Sequence, residues 1–184
     1  LSRETKVEFP SLFHIGAMNW MPNEEGMRWF LNEVWPEVHK NHPEVKFYIA
    51  GREMPAWLKK MNSHGIEVVG EVDDALKFIY SKAIEVVPLF SGSGIRIKII
   101  EGMAAGRAIV STSIGAEGIA VTHEKNILLA DNAKDFARAV GRCIKSREFC
   151  AQLGINARKL IEQDHANQRL IEKLGEFYQD ISTR

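Results

Sequence analysis

What most constrains the fold of this chain is an alternation. Short apolar runs that stop at or near glycine are followed again and again by segments whose apolar residues recur at helical spacing. Phe13-His14-Ile15-Gly16 is the first run, and Met27, Phe30, Leu31, Val34 and Val38 mark the first helix. Pro36 should kink or shorten that helix, and Asn41-His42-Pro43 ends it. Val45 to Ala50 reads as a strand closing at Gly51, followed by a short helix over 55–62. Ile66 to Val69 closes at Gly70, and a helix then runs from Asp74, a good N-cap type, to Ser81. Further strands are expected over 84–89, 108–111 and 126–130, with a helix over 94–105. Three helical patterns finish the chain: Ala133 to Ile144, Leu153 to Ile161 and Leu170 to Ile181. Parallel strands need crossovers, and helical crossovers cover both faces of the sheet. The predicted fold is therefore α/β, a doubly wound, Rossmann-like parallel sheet of about six strands.

Composition narrows the class. With 184 residues, 45% of them apolar, the chain can bury one sizeable core without disulfide or metal support. Residues 1–12 are polar and weakly patterned, like a linker or strand lead-in, and 13–184 read as a single domain. The start at Leu1 without an initiator Met suggests a fragment of something longer. Lys plus Arg and Asp plus Glu balance at 24 each, so no broad field draws the protein to nucleic acid. No apolar run approaches the ~20 residues of a bilayer span, and no signal-peptide pattern opens the chain. Cys143 and Cys150 lie in a helical pattern without CxxC or His spacing, which favours a reducing cytosol.

In such a sheet the ligand crevice lies beyond the carboxyl ends of the strands. Gly16, Gly51, Gly70, Gly92 with Gly94, and Gly115 with Gly118 each follow a predicted strand, so five loops offer backbone that a ligand can approach. Gly is also an ordinary turn residue, but the clustering on one edge favours a nucleotide-sized crevice. The richest stretch runs from Phe90 through Gly92-Ser93-Gly94-Ile95-Arg96-Ile97-Lys98 to Glu101 and Gly106. It is a Gly-rich loop opening a helix, where unpaired amides and the positive end of the helix dipole make a phosphate site. The dinucleotide fingerprint fails at Ile97, and the Walker Gly-Lys-Ser/Thr does not occur.

Charge placement argues independently. Arg96 and Lys98 fall in the first turns of a helix, where the dipole prefers acids, and a bound diphosphate would compensate both. The helix is apolar nearly all round, which predicts burial. Gly94, Lys98, Glu101 and Ala105 share a face, so Glu101 could accept hydrogen bonds from a ribose diol. The alternative is a plain i,i+3 ion pair between Lys98 and Glu101. His14 and His123 read as structural residues, and no His/Asp cluster suggests a metal. Met27, Trp29 and Trp35 follow helical spacing and read as core.

These motifs resemble the C-terminal, donor-binding half of a GT-B glycosyltransferase of family 4, the group 1 type. The resemblance runs from Phe13-His14-Ile15-Gly16 and Pro22-Asn23, through Gly70-Glu71-Val72-Asp73-Asp74 and the Gly-rich motif, to Ala108-Ile109-Val110-Ser111-Thr112 and Leu129-Ala130-Asp131. It implies a domain that binds a nucleotide-diphosphate sugar, no resident cofactor or metal with Mg²⁺ on the diphosphate left open, and retention at the anomeric carbon. It also implies a missing N-terminal half that binds a glycan or lipid-linked acceptor, work in the cytoplasm at the inner face of the membrane, and an inactive isolated domain.

By position, Glu101 resembles the ribose-binding second glutamate of a family pair, while Ser93 stands where the first would fall. Gly92 to Ile95 resemble the phosphate and sugar loop, Gly16 lies at the first-strand loop, and Arg52 and Val72 lie where the base should sit. The Arg and Lys that the family often places after the first strand are replaced by Ala17 and Glu25. Arg96 and Lys98 are the available substitutes, as in the branch with a Gly-x-Gly-x-Arg-x-Lys pattern. A nucleotide-sugar epimerase of the same architecture and a nucleotide-binding module without transfer are the rival readings.

Overall fold

The computed structural model describes residues 6–61, 65–92, 94 and 96–164. Six strands form one sheet: β1 (Ser11–Ile15), β2 (Lys46–Ala50), β3 (Ile66–Gly70), β4 (Ile84–Val87), β5 (Ala108–Ser111) and β6 (Leu128–Leu129). Every pair is parallel, in the order β3-β2-β1-β4-β5-β6. The chain builds outward from β1 to β3, then returns to lay β4 on the other side of β1. That reversal is the switch point of a doubly wound sheet, and it opens a crevice between the ends of β1 and β4.

The helices are α1 (Met21–Trp29), α2 (Trp35–Asn41), α3 (Ala56–Lys59), α4 (Ala75–Ser81), α5 (Ile97–Ala104), α6 (Ala133–Lys145) and α7 (Arg147–Asp164). On one face Leu12, Phe47, Ile49, Val86 and Val110 pack beneath α1, α2 and α6. On the other, Phe13 and Tyr48 meet Ile79 of α4, while Val87 and Ile109 meet Ile99 and Met103 of α5 and Ala157 of α7. The expected layering is therefore present, with helices on both faces.

Local details follow from individual residues. Asp74 caps α4 by accepting from the Lys77 amide at 2.8 Å. Pro36 lacks an N–H, and the helix ahead of it widens into a π-helical turn over Phe30–Val34 that joins α1 to α2. Met27 and Trp35 are core residues, and Trp29 packs edge-on against Phe90 and Phe136.

Several boundaries differ from the sequence pattern. β1 begins at Ser11, because Ser11 and Leu12 are fully buried. β6 shrinks to two residues. α5 starts at Ile97 instead of Gly94, since Gly94 has a φ of +83° and cannot join a right-handed helix. α5 is buried on one side only: Ile99 and Met103 face the sheet, while Ile97 is 68% exposed. The pattern from Leu170 to Ile181, with Ser93 and Ile95, lies outside the described residues. No helix among the described residues is long and apolar enough to cross a membrane.

Candidate functional site

At the switch point, the loops after β1 and β4 meet the start of α5. Gly92 and Gly94 have φ of +107° and +83°, so the loop needs glycine at both positions. Arg96 is the N-cap residue of α5 and is 5% exposed. Its Nη1 donates to the Gly94 carbonyl at 2.7 Å, and its guanidinium lies 5.4 Å from the Trp20 ring centroid. The Arg side chain thus fastens the Gly-rich loop to its own helix and to the loop after β1.

Lys98, in the first turn of α5, reaches back under the loop after β1. Its Nζ donates to Asn23 Oδ1 at 2.6 Å and lies 3.4 Å from His14 Nε2. Asn23 Nδ2 donates to the Ala17 carbonyl at 2.9 Å, and His14 Nδ1 lies 2.9 Å from the Val86 carbonyl. A Cβ on Gly16 would fall 2.6 Å from Lys98 Nζ and 2.7 Å from Asn23 Nδ2. A side chain at Gly16 would therefore meet the Lys98 ammonium and the Asn23 amide. Gly51 likewise packs against backbone, with a would-be Cβ 1.9 Å from the Gly16 carbonyl oxygen. At these two glycines, then, the space a Cβ would take is filled by the protein itself, whereas not every glycine loop is so closely packed. At Gly70 and Gly94 a Cβ position has nothing within 4 Å.

Beneath this cluster lies Glu85 of β4, fully buried, with no hydrogen-bond partner among the described residues for either carboxylate oxygen. Burial, reinforced by Glu101 and opposed by Lys98, raises its pKa to about 8. Burial also lowers Lys98, with Arg96 adding repulsion and Glu85 working against it. Burial and then Lys98 hold His14 well below the ordinary imidazole range, so the ring is neutral.

The sequence-derived candidates separate into two groups. Gly16, Gly92, Gly94, Arg96 and Lys98 come together at the switch point. Glu101 lies one turn along α5, exposed, and the ion pair with Lys98 does not form, because Lys98 turns to Asn23 and His14 instead. Arg52 and Val72 lie beyond β2 and β3, where Arg52 is exposed and its carbonyl accepts from the Met18 amide at 2.9 Å. Val72 helps line a concavity of about 440 Å³ with Glu71, Asp73, Asp74 and Lys77. A groove of about 650 Å³ between α2 and α6 shares none of its lining with these loops. The sequence analysis assigns no site role to Asn23 or Glu85. The signal for Glu85 was a lone acid inside an otherwise apolar strand; the signal for Asn23 was its place in Pro22-Asn23 at the start of α1. Among the described residues no three His, Cys, Asp or Glu side chains gather as a metal site.

The family model described as "Glycosyl transferases group 1" matches residues 9–146, a span that includes every element of this site. The chain belongs to the group 1 glycosyltransferases. It is 27% identical over 165 residues to an uncharacterized 44.6 kDa protein in the cps region of Klebsiella pneumoniae, covering 84% of this chain and 42% of that protein. This glycosyltransferase chain therefore spans less than half the length of that relative. The same GT-B-type fold occurs in a mutant of S. aureus TarM, crystallised with fondaparinux, alpha-GlcNAc-glycerol and UDP. There the TM-score is 0.79 at 20% identity, over 95% of this chain and 36% of that one. It occurs too in the C-terminal domain of the group 1 protein LpcC from Francisella tularensis, with a TM-score of 0.71 at 16% identity over 88% and 89% of the two chains.

Proposed function

We propose that residues 13–184 form the donor-binding domain of a longer, retaining glycosyltransferase whose other half binds a glycan or lipid-linked acceptor. The observation that carries this reading is the reach of Lys98, which brings a cation from α5 to the loop after β1, where Ala17 and Glu25 supply none. An anion over Gly92 and Gly94 would meet loop amides, the α5 N-terminus and the charges of Arg96 and Lys98. In this reading Gly92 to Ile95 hold the diphosphate and sugar, Glu101 takes the ribose diol, and Arg52 and Val72 flank the base. The donor is a substrate, and the cations stabilise the diphosphate as it leaves, so positioning and electrostatics supply much of the rate. UDP is the first candidate carrier, because TarM and pneumococcal GtfA were crystallised with it.

Calorimetric titration with UDP, GDP, ADP and NAD tests this. One nucleoside diphosphate should bind in preference, about tenfold more weakly in Glu101→Ala once the hydrogen bonds to the diol are lost. Preference for NAD, or indifference to Glu101→Ala, would overturn the assignment. Ala17 and Glu25 favour a second reading, a binding module without transfer, which turnover by the full-length enzyme would dismiss.

A further inference from the structure

We infer that Asn23 and His14 are positioning residues for Lys98, a two-sided rack that presents its ammonium to the donor diphosphate. The inference rests on the donor-site reading and adds a role that the family resemblance did not assign to either residue.

The chemistry is one of counted donors. An ammonium has three N–H groups. One goes to Asn23 Oδ1 at 2.6 Å and a second faces His14 Nε2 at 3.4 Å, which leaves the third for an anion. Each acceptor is fixed from behind by main chain. Asn23 is 3% exposed, and its amide nitrogen donates to the Ala17 carbonyl, so its oxygen must face Lys98. His14 is fully buried, and a carbonyl can only accept, so the Val86 oxygen requires the proton on Nδ1. That choice of tautomer leaves Nε2 as a bare lone pair toward Lys98. β1 and β4 thus anchor one side of the rack through His14, the start of α1 and the loop after β1 anchor the other through Asn23, and Gly16 leaves room for it.

A long, flexible Lys loses rotamer freedom when it meets an anion, and prior immobilisation removes that cost at the moment of binding. The titratable groups around Lys98 are His14 on β1, Glu85 on β4 and Arg96 on α5. None of them forms an ion pair with Lys98 within 4.0 Å. The rack therefore holds the ammonium with neutral acceptors and leaves its charge uncancelled for a ligand.

The test is a double-mutant cycle read by calorimetry, with UDP and inorganic pyrophosphate as probes, alongside ¹⁵N NMR of the His14 ring. Asn23→Ala and His14→Leu should each weaken binding about tenfold, and neither should weaken it further in a Lys98→Met background. The ring should show Nδ1 protonated and Nε2 bare, and Lys98→Met should shift the Nε2 resonance. Equal losses with and without Lys98, or an Nε2 resonance unmoved by Lys98→Met, would overturn the rack and leave the donor site standing. Failure of the wild type to bind either probe would instead overturn the donor-site reading, and the rack's purpose with it. If His14→Leu melts at the assay temperature, Asn23→Ala and the ring spectrum decide.

Discussion

Under α1, α2 and α6 the sheet is covered by aromatic rings: Phe30 lies 4.9 Å from Phe47 and 5.8 Å from Phe136, and Trp29 and Trp35 close the cluster. At the switch point of the same sheet, His14, Asn23 and Glu85 are buried with Lys98 half-buried beside them, and Glu85 has no hydrogen-bond partner among the described residues. The first region gains from burying apolar area, roughly 1.5 to 3 kcal/mol for each large side chain. The second holds polar groups whose burial costs free energy unless every donor and acceptor is matched. The contrast separates what holds the domain together from what the domain holds in place. Packing stabilises the aromatic side, whereas at the switch point stability is given up to keep an ammonium near the surface in a fixed position.

The comparison breaks most visibly at Phe30. Truncation to Ala removes a fully buried ring that touches two other rings, and should cost about 3 to 5 kcal/mol in denaturant unfolding. Nucleotide affinity of the remaining folded molecules should stay within twofold, because the Phe30 ring packs against Phe47 and Phe136 in the aromatic cluster. A large loss of affinity without loss of stability would show that the two regions are not separable.

Gly51→Ala comes next, at about 2 to 4 kcal/mol. Its φ of +137° strains any L side chain, and the added methyl would meet the Gly16 carbonyl oxygen, which belongs to the backbone and cannot swing aside. The effect should differ in kind from that at Phe30. Displacing Gly16 disturbs the space that Lys98 occupies, so affinity for a diphosphate should fall along with the melting temperature.

How far the sequence foretold each region follows from the same physics. Helical and strand periodicity report burial of apolar residues, so the sheet, its crossovers, the Asp74 cap and the aromatic core were legible before any coordinates. The Gly-rich loop was legible too, because positive φ at Gly92 and Gly94 is a local property. The rack was not. Lys98 and Asn23 are 75 positions apart and Lys98 and His14 are 84 apart, and nothing in either segment states that they meet. The two cations at the helix start were legible and pointed to a bound diphosphate, with a Lys98 to Glu101 ion pair as the alternative; there the i,i+3 spacing misleads, because the Asn23 and His14 side chains hold Lys98 instead. Ile97 misled in the same way, since an apolar residue between two cations reads as buried and is 68% exposed.

The remaining expected effect concerns Glu85, and it reads the contrast through pH. Its folded-state pKa, raised to about 8, exceeds the ordinary carboxylate value of 4.5. A raised pKa contributes stability that is fully present below the unfolded value and is lost as pH rises through the folded one. His14 works in the opposite sense, because its lowered pKa makes stability rise with pH, but only up to about 6.5. Lys98, lowered to about 8, begins to act only above that pH. Of these three groups only Glu85 makes stability fall between pH 6.5 and 8, by at most about 1.4 kcal/mol per pH unit. Glu85→Gln should leave stability at pH 5 nearly unchanged, flatten the fall between pH 6.5 and 8, and make the variant the more stable protein at pH 8. Melting curves of the two proteins across this range measure the difference directly. Parallel curves would mean that Glu85 is ionised throughout, and that the switch point carries a buried negative charge that Lys98 must balance.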